Sequence, residues 1–364
     1  MITTTLFPGR YIQGPGVLTT LGKEIKRFGK KGFILTDPFV YDEILPDVLS
    51  DIEKDAKLGK ERFEGECTDK EIKRLTKKSE EFDADVVIGF GGGKTIDTAK
   101  AVAHEMKKPV IILPSLASTD APCSALSVIY TEAGEVDRYL FLPENPNIVM
   151  VDTNIVVNAP VRFLVSGMGD ALATWFEAES CMTAYSPNMT GNHGSMTAYF
   201  LAQLCYETLI EYGIAAKDAC EAGISTPALE KVVEANTLLS GLGFESGGLA
   251  TAHSIHNGLT VLEGTHDYYH GEKVAIGILV SLWLTDKSID LIDEVYGFCQ
   301  NVGLPVALEQ IGLKDISDED LVKVAKASVK EQETIYNEAI PVNADSVFKA
   351  LKMADYYGKK FVMR

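Results

Sequence analysis

The sequence predicts an α/β domain over residues 1–160 and an all-α domain over residues 161–364, with the active site in the cleft between them. Three observations predict the two domains. At 364 residues the chain is longer than one hydrophobic core comfortably organises. Up to about Pro160, short apolar runs alternate with amphipathic stretches, the pattern of a mostly parallel sheet with helices on both faces. Beyond Asn158-Ala159-Pro160 the apolar residues recur at helical spacing and strand-like runs disappear. A composition of 46% hydrophobic and 24% charged residues is ordinary for a globular chain and argues against disorder.

Residues 8–16 read as a short strand closed by a turn, and Val17, Leu18, Leu21, Ile25 and Phe28 follow at helical spacing. Apolar runs at 33–36, 86–90, 110–114 and 148–151 mark buried strands. Lysine- and glutamate-rich amphipathic stretches such as 69–82 separate the first two. After the third run, residues 125–130 and 136–141 flank Glu132-Ala133-Gly134-Glu135, a β-hairpin inserted into a Rossmann-like parallel sheet. In the second domain, helices are expected at 168–183, 195–212, 227–242, 274–283, 289–302, 316–330 and 345–361. Gly303-Leu304-Pro305 and Gly312 punctuate them.

The charge balance excludes several partners. A net charge of −18 argues against nucleic acid and against anionic membranes, since both need clustered Lys and Arg. The six cysteines are scattered without a CxxC pair, as reduced thiols of a cytoplasmic protein would be. No N-terminal stretch resembles a signal peptide, and the longest apolar run, about 274–284, is too short to span a bilayer.

Four stretches carry chemistry. Gly89-Phe90-Gly91-Gly92-Gly93-Lys94-Thr95-Ile96-Asp97 follows a strand and opens a helix. Glycines there either let the backbone approach a pyrophosphate, which the free N–H groups of the helix start attract, or simply make a tight strand-to-helix turn. Asp37, at the end of an earlier strand, can accept hydrogen bonds from ribose hydroxyls, or simply start the next helix. The polar run Ser115 to Asp120 lies at the C-terminal edge of the sheet, where doubly wound folds bind ligands. Four of the six histidines, His253, His256, His266 and His270, fall within residues 246–273. Imidazole is the commonest side-chain ligand for a transition metal. Asp170, expected at the start of the second domain's first helix, either caps that helix or faces the cleft and completes a zinc or iron(II) site with two of them. Spacing alone does not choose the pair.

The segments GGGKTIDTAK, STDAPCSALSVIYT, GMGDALATWFEA, AHSIHNGL and HGEKVAIG occur in an order and at spacings that resemble the glycerol dehydrogenases of the iron-containing (group III) alcohol dehydrogenase superfamily. The resemblance covers essentially the whole chain. It implies a reversible NAD-linked oxidation of glycerol to dihydroxyacetone with a bound Zn2+, Fe2+ being compatible with the same ligands. It implies Asp170, His253 and His270 as metal ligands. Asp120 would meet the substrate hydroxyls, with His253 close by. NAD would lie along Asp37, along Gly93, Lys94, Thr95, Ile96 and Asp97, and along Ser115, Leu116, Ala117 and Ser118. Its nicotinamide end would meet Ser124, Leu126 and Tyr130. Ser115 stands where relatives often have Thr, and the hydroxyl is retained. His256 and His266 would support the ligands or line the cleft. A homo-oligomer, an octamer, is implied as well. Two other activities compete: oxidation of another small vicinal diol or amino alcohol, and a dehydroquinate synthase-like lyase. The lyase must grip a phosphorylated substrate, and the cleft stretches carry only Lys94, Lys273 and Arg138 for that.

Overall fold

The structure is a computed structural model that describes residues 1–363. Eight strands form in the first 152 residues: β1 (Tyr11–Gly14), β2 (Lys31–Thr36), β3 (Lys57–Arg62), β4 (Val86–Gly91), β5 (Val110–Pro114), β6 (Leu126–Tyr130), β7 (Val136–Phe141) and β8 (Ile148–Asp152). Six of them make one sheet in the order β1-β8-β5-β4-β2-β3, and every pair in it is parallel. Strands β6 and β7 pair antiparallel as the expected hairpin. The helices of this part are α1 (Leu21–Ile25), α2 (Leu45–Glu53), α3 (Asp69–Phe82), α4 (Gly93–Met106) and α5 (Thr153–Asn158).

The remainder is helical: α6 (Val161–Ala184), α7 (Met196–Glu221), α8 (Pro227–Glu234), α9 (Ser240–Gly247), α10 (Thr251–Leu259), α11 (His270–Leu284), α12 (Ile289–Val302), α13 (Asp318–Ser328) and α14 (Ala344–Val362). No helix among the described residues is long and apolar enough to cross a membrane.

Strand residues divide by parity between two cores. Ile34, Val86, Ile88, Ile111, Ile148 and Met150 pack with Leu21 and Ile25 on one side. Leu35, Val87, Ile112, Val149 and Val151 face the other side and share a continuous core with Met168, Leu172, Ile255 and Ile278 of the helical part. Successive side chains of a strand point to opposite faces, so one sheet supplies both cores.

Several boundaries differ from expectation. The segment from Val17 forms a 3-10 turn, Val17–Thr20, before the short α1. Strand β3 was not expected, because Lys57-Leu58-Gly59-Lys60-Glu61-Arg62 is polar; it is an edge strand that pairs only with β2. Helix α7 runs nine residues past Tyr212, to Glu221. A single π turn, Ala235–Leu239, joins α8 to α9, so that helix continues to Gly247. The largest correction is α6, which begins at Val161 and not at Met168, leaving Asp170 in mid-helix and not at a cap. Gly167 and Gly169 suggested a helix start, but they serve close packing. A Cβ on Gly167 would sit 1.9 Å from the Ala117 carbonyl oxygen, and one on Gly169 would sit 2.3 Å from that of Gly271.

Candidate metal and cofactor site

The sheet order changes direction between β2 and β4: from β2 the chain goes outward to β3, then returns to the other side of β2 as β4. Such a switch point leaves a crevice beyond the C-terminal ends of the two strands. Here β2 ends at Thr36-Asp37 and β4 ends in the glycine run. A Cβ on Gly91 would sit 2.6 Å from Asp37 Oδ2, so carboxylate and glycine turn are neighbours. The N-terminus of α4 carries no side-chain cap, and a Cβ on Gly93 would meet nothing within 4 Å. The first turn of α4 therefore presents free N–H groups and no bulk, which fits a pyrophosphate.

The other expected cofactor residues divide into two groups. Leu116 lies against the turn, its Cδ1 3.7 Å from where a Gly92 Cβ would be. Ser115 N–H donates to the Gly91 carbonyl, which ties the two loops together. Asp37 also accepts from Val40 N–H at 2.9 Å, so it starts the following turn as well as facing the glycines. Lys94 is engaged by Glu66 at 2.7 Å and lies over the Tyr130 ring. Thr95 and Ala117 are buried, and Ala117 C=O accepts from Asn236 Nδ2. Ser118 and Leu126 are half-buried. Ser124 donates to the Ala121 carbonyl. Ile96 and Asp97 turn inward. Ile96 is a core residue, and Asp97 accepts from Val128 N–H and pairs with buried Lys100. Lys100 also donates to the carbonyls of Ala121 and Leu126, pinning the loop that carries Asp120.

Asp170, His253 and His270 come from three different helices, α6, α10 and α11, and their ligand atoms lie within 4.8 Å of one another. Asp170 Oδ1 is 3.1 Å from His270 Nε2 and 3.5 Å from His253 Nε2. That oxygen is buried and makes no hydrogen bond. Both histidines use Nδ1 elsewhere, so two ring nitrogens and one orphaned carboxylate oxygen converge on a common point. This donor set fits zinc or iron(II) and, with three protein ligands, leaves a position for a substrate.

Each ligand is held from behind. Glu177 Oε2 lies 2.6 Å from His253 Nδ1, and its Oε1 accepts from the N–H groups of Ala250 and His253. His256 Nε2 lies 3.0 Å from His270 Nδ1, and His256 Nδ1 in turn lies 3.1 Å from Asn257 Oδ1. Asp120 N–H donates to Asp170 Oδ2 at 3.2 Å, and Ser240 Oγ donates to Asp120 Oδ2 at 2.9 Å. Burial, with the Asp170 carboxylate beside it, raises the Asp120 carboxyl well above its usual range. Burial opposes the charge on Asp170, but His270 and His253 outweigh it and hold that carboxyl low. Burial and the neighbouring His270 ring push His256 well below the usual imidazole range. A divalent cation at the centre would favour ionised carboxylates and neutral rings throughout.

His266, expected as a supporting or cleft-lining residue, is exposed, and its ring bonds the Thr260 carbonyl. Glu177 was not singled out from the sequence. It stands seven residues after Asp170, two turns along the same helix face, and that spacing is the signal that would have found it. Glu245 was missed as well; it accepts from Ala125 N–H and Asn145 Nδ2, anchoring the hairpin base to the helical part.

The model of the iron-containing alcohol dehydrogenase family matches residues 8–153. A glycerol dehydrogenase of Thermotoga maritima is 63% identical over 359 residues, 99% of this chain and 98% of its own. A glycolaldehyde reductase of Halobacterium salinarum is 45% identical over 97% of both chains. The solved structure of glycerol dehydrogenase from Schizosaccharomyces pombe superposes with a TM-score of 0.95 at 40% identity, covering 99% of this chain and 92% of that one.

Proposed function

The chain belongs to the iron-containing alcohol dehydrogenase family, and on that premise we propose that it oxidises glycerol reversibly to dihydroxyacetone, with NAD taking the hydride. The observation that carries this reading is the convergence of Asp170 Oδ1, His253 Nε2 and His270 Nε2. Residues 1–160 bind the nucleotide in this reading, and residues 161–364 bind the metal.

When bound, a divalent metal, Zn2+ in this proposal, lowers the pKa of an alcohol O–H as a Lewis acid, and the nicotinamide accepts the hydride. The chain's own residues do the rest. Asp170, His253 and His270 hold the metal. Asp120, fixed by Ser240 and by its own N–H to Asp170, accepts a hydrogen bond from the neighbouring hydroxyl. A site built to bond a second hydroxyl discriminates strongly against alcohols that lack it. The glycine turn and the first turn of α4 receive the pyrophosphate, and Asp37 accepts from the ribose and repels a 2′-phosphate. Ser124, Leu126 and Tyr130 of the hairpin region flank the nicotinamide. A cytoplasmic homo-oligomer belongs to the same proposal.

The lyase reading loses its cations. Lys94 is paired with Glu66, Arg138 with Asp69 and Asp137, and Lys273 is buried. The second reading is a dehydrogenase for another small vicinal diol or amino alcohol, favoured by the glycolaldehyde reductase relative. Initial rates with glycerol, 1,2-propanediol, 2,3-butanediol and 1-amino-2-propanol, with NAD and then NADP, test both. Glycerol should rank among the best substrates, with a clear preference for NAD. Absence of NADH formation by zinc-loaded protein across the panel would remove the dehydrogenase reading.

A further inference from the structure

We propose that Glu177 is a positioning residue that fixes the tautomer of His253, keeping the ring proton on Nδ1 and the lone pair of Nε2 directed at the metal position. The proposal rests on the metal reading above. Its basis is a division of labour between the two carboxylate oxygens. Oε1 accepts from Ala250 N–H at 2.9 Å and from His253 N–H at 3.0 Å. Those groups belong to the start of α10, which has no side-chain cap on its N-cap residue. That half of Glu177 is structural: it satisfies N–H groups that a helix start leaves without partners. Oε2 does something else. It lies 2.6 Å from His253 Nδ1, and Glu177 is buried.

Oε1 already accepts from two N–H groups, which leaves Oε2 as the acceptor aimed at the ring. Facing it, Nδ1 must carry the proton, and in a neutral imidazole Nε2 is then bare. Nε2 is the atom turned toward Asp170 Oδ1. The side chain of Glu177 therefore decides which ring nitrogen of His253 is a ligand, without touching the metal. His270 Nδ1 faces a different partner, the Nε2 of His256, a ring nitrogen that can either donate or accept. The two ligands are thus held by groups of different charge.

Substituting Glu177→Gln separates the two roles. The amide oxygen can keep the helix-start contacts, which places the NH2 group against His253 Nδ1. A donor there demands an acceptor, so the ring proton moves to Nε2 and removes the metal's lone pair. Turning the amide over instead sets its NH2 against two N–H donors. No orientation satisfies all three neighbours while Nε2 keeps its lone pair.

The test uses full-length, zinc-loaded protein. Retention of Zn2+ against a competing chelator should fall about 10- to 100-fold in Glu177→Gln, the usual range for loss of such a supporting group, while circular dichroism and the melting temperature of the metal-free protein stay near those of the parent. Nitrogen-15 histidine spectra of the zinc-loaded parent should show His253 protonated at Nδ1 and coordinated through Nε2. Equal zinc retention by Glu177→Gln would overturn the proposal. So would coordination of His253 through Nδ1 in the parent, a result that needs no variant to fold. If the parent itself retains no zinc, the metal reading fails instead.

Discussion

His266 and His270 are four residues apart and fare oppositely. His270 faces Asp170 Oδ1 at 3.1 Å, whereas His266 is exposed on the turn before α11. His270→Ala should abolish bound metal and lower kcat/KM by at least about a hundredfold, the loss expected when a Lewis-acid site is dismantled. His266→Ala should leave metal content and rates unchanged, as measured by metal analysis and initial rates on the same preparations. Asp37 Oδ2 borders the glycine turn, so Asp37→Ser should narrow the ratio of kcat/KM for NAD over NADP; an unchanged ratio would remove its proposed role at the ribose. The histidine cluster, the glycine run and Asp170 were all legible as residue types at telling places. Glu177 was legible only through its spacing from Asp170, because its partner His253 lies 76 positions away and a lone Glu in a helix usually faces water. The family pattern marks Ile96 and Asp97 as cofactor contacts; their side chains face the core and the hairpin, which leaves their place at the helix start as the feature legible in the sequence.

At the scale of elements, the site depends on how closely α11 approaches α6. A Cβ on Gly271 would lie 1.8 Å from the Ser166 carbonyl oxygen, so the two helices touch backbone to backbone. Gly271→Ala gains up to about 1 kcal/mol in helix propensity but forces the helices apart, an overpacking that costs about 1–3 kcal/mol. The expected result is a lower urea midpoint. His270, its immediate neighbour, should move with α11, so zinc retention should fall along with stability. An alanine variant with the parent's midpoint would show that the contact is looser than it looks. This packing also explains what the sequence concealed. Glycines in a helical stretch read locally as punctuation, and only the neighbouring backbone reveals them as contact points, so α6 seemed to begin late. Strand β3 was concealed for the opposite reason: at the sheet's edge its residues are solvated on one side, and its apolar alternation is weak. The central strands, buried on both faces, were legible as continuous apolar runs.

At the scale of the molecule, Asp170, His253 and His270 tie α6, α10 and α11 to one point. A cation bound there only in the folded state adds stability by mass action, about 2.7 kcal/mol when free metal is a hundred times its Kd. Stripping the metal with a chelator should therefore lower the urea midpoint of the parent and leave that of His270→Ala unmoved. An equal shift in both would mean that the chelator acts elsewhere. The path of the chain has a second consequence, for the order of assembly. Strand β1 pairs with β8, near residue 150. The stretch just before it reaches farther: Thr4 N–H donates to the His193 carbonyl, and Leu6 N–H donates to Ser246 Oγ. During synthesis from the N-terminus, β1 is made long before its neighbour exists, and residues 2–6 wait longer still, until the helical part has emerged. The crevice between β2 and β4 can form early, whereas residues 2–6 are seated only after most of the polypeptide is in place, which makes their docking a late folding event.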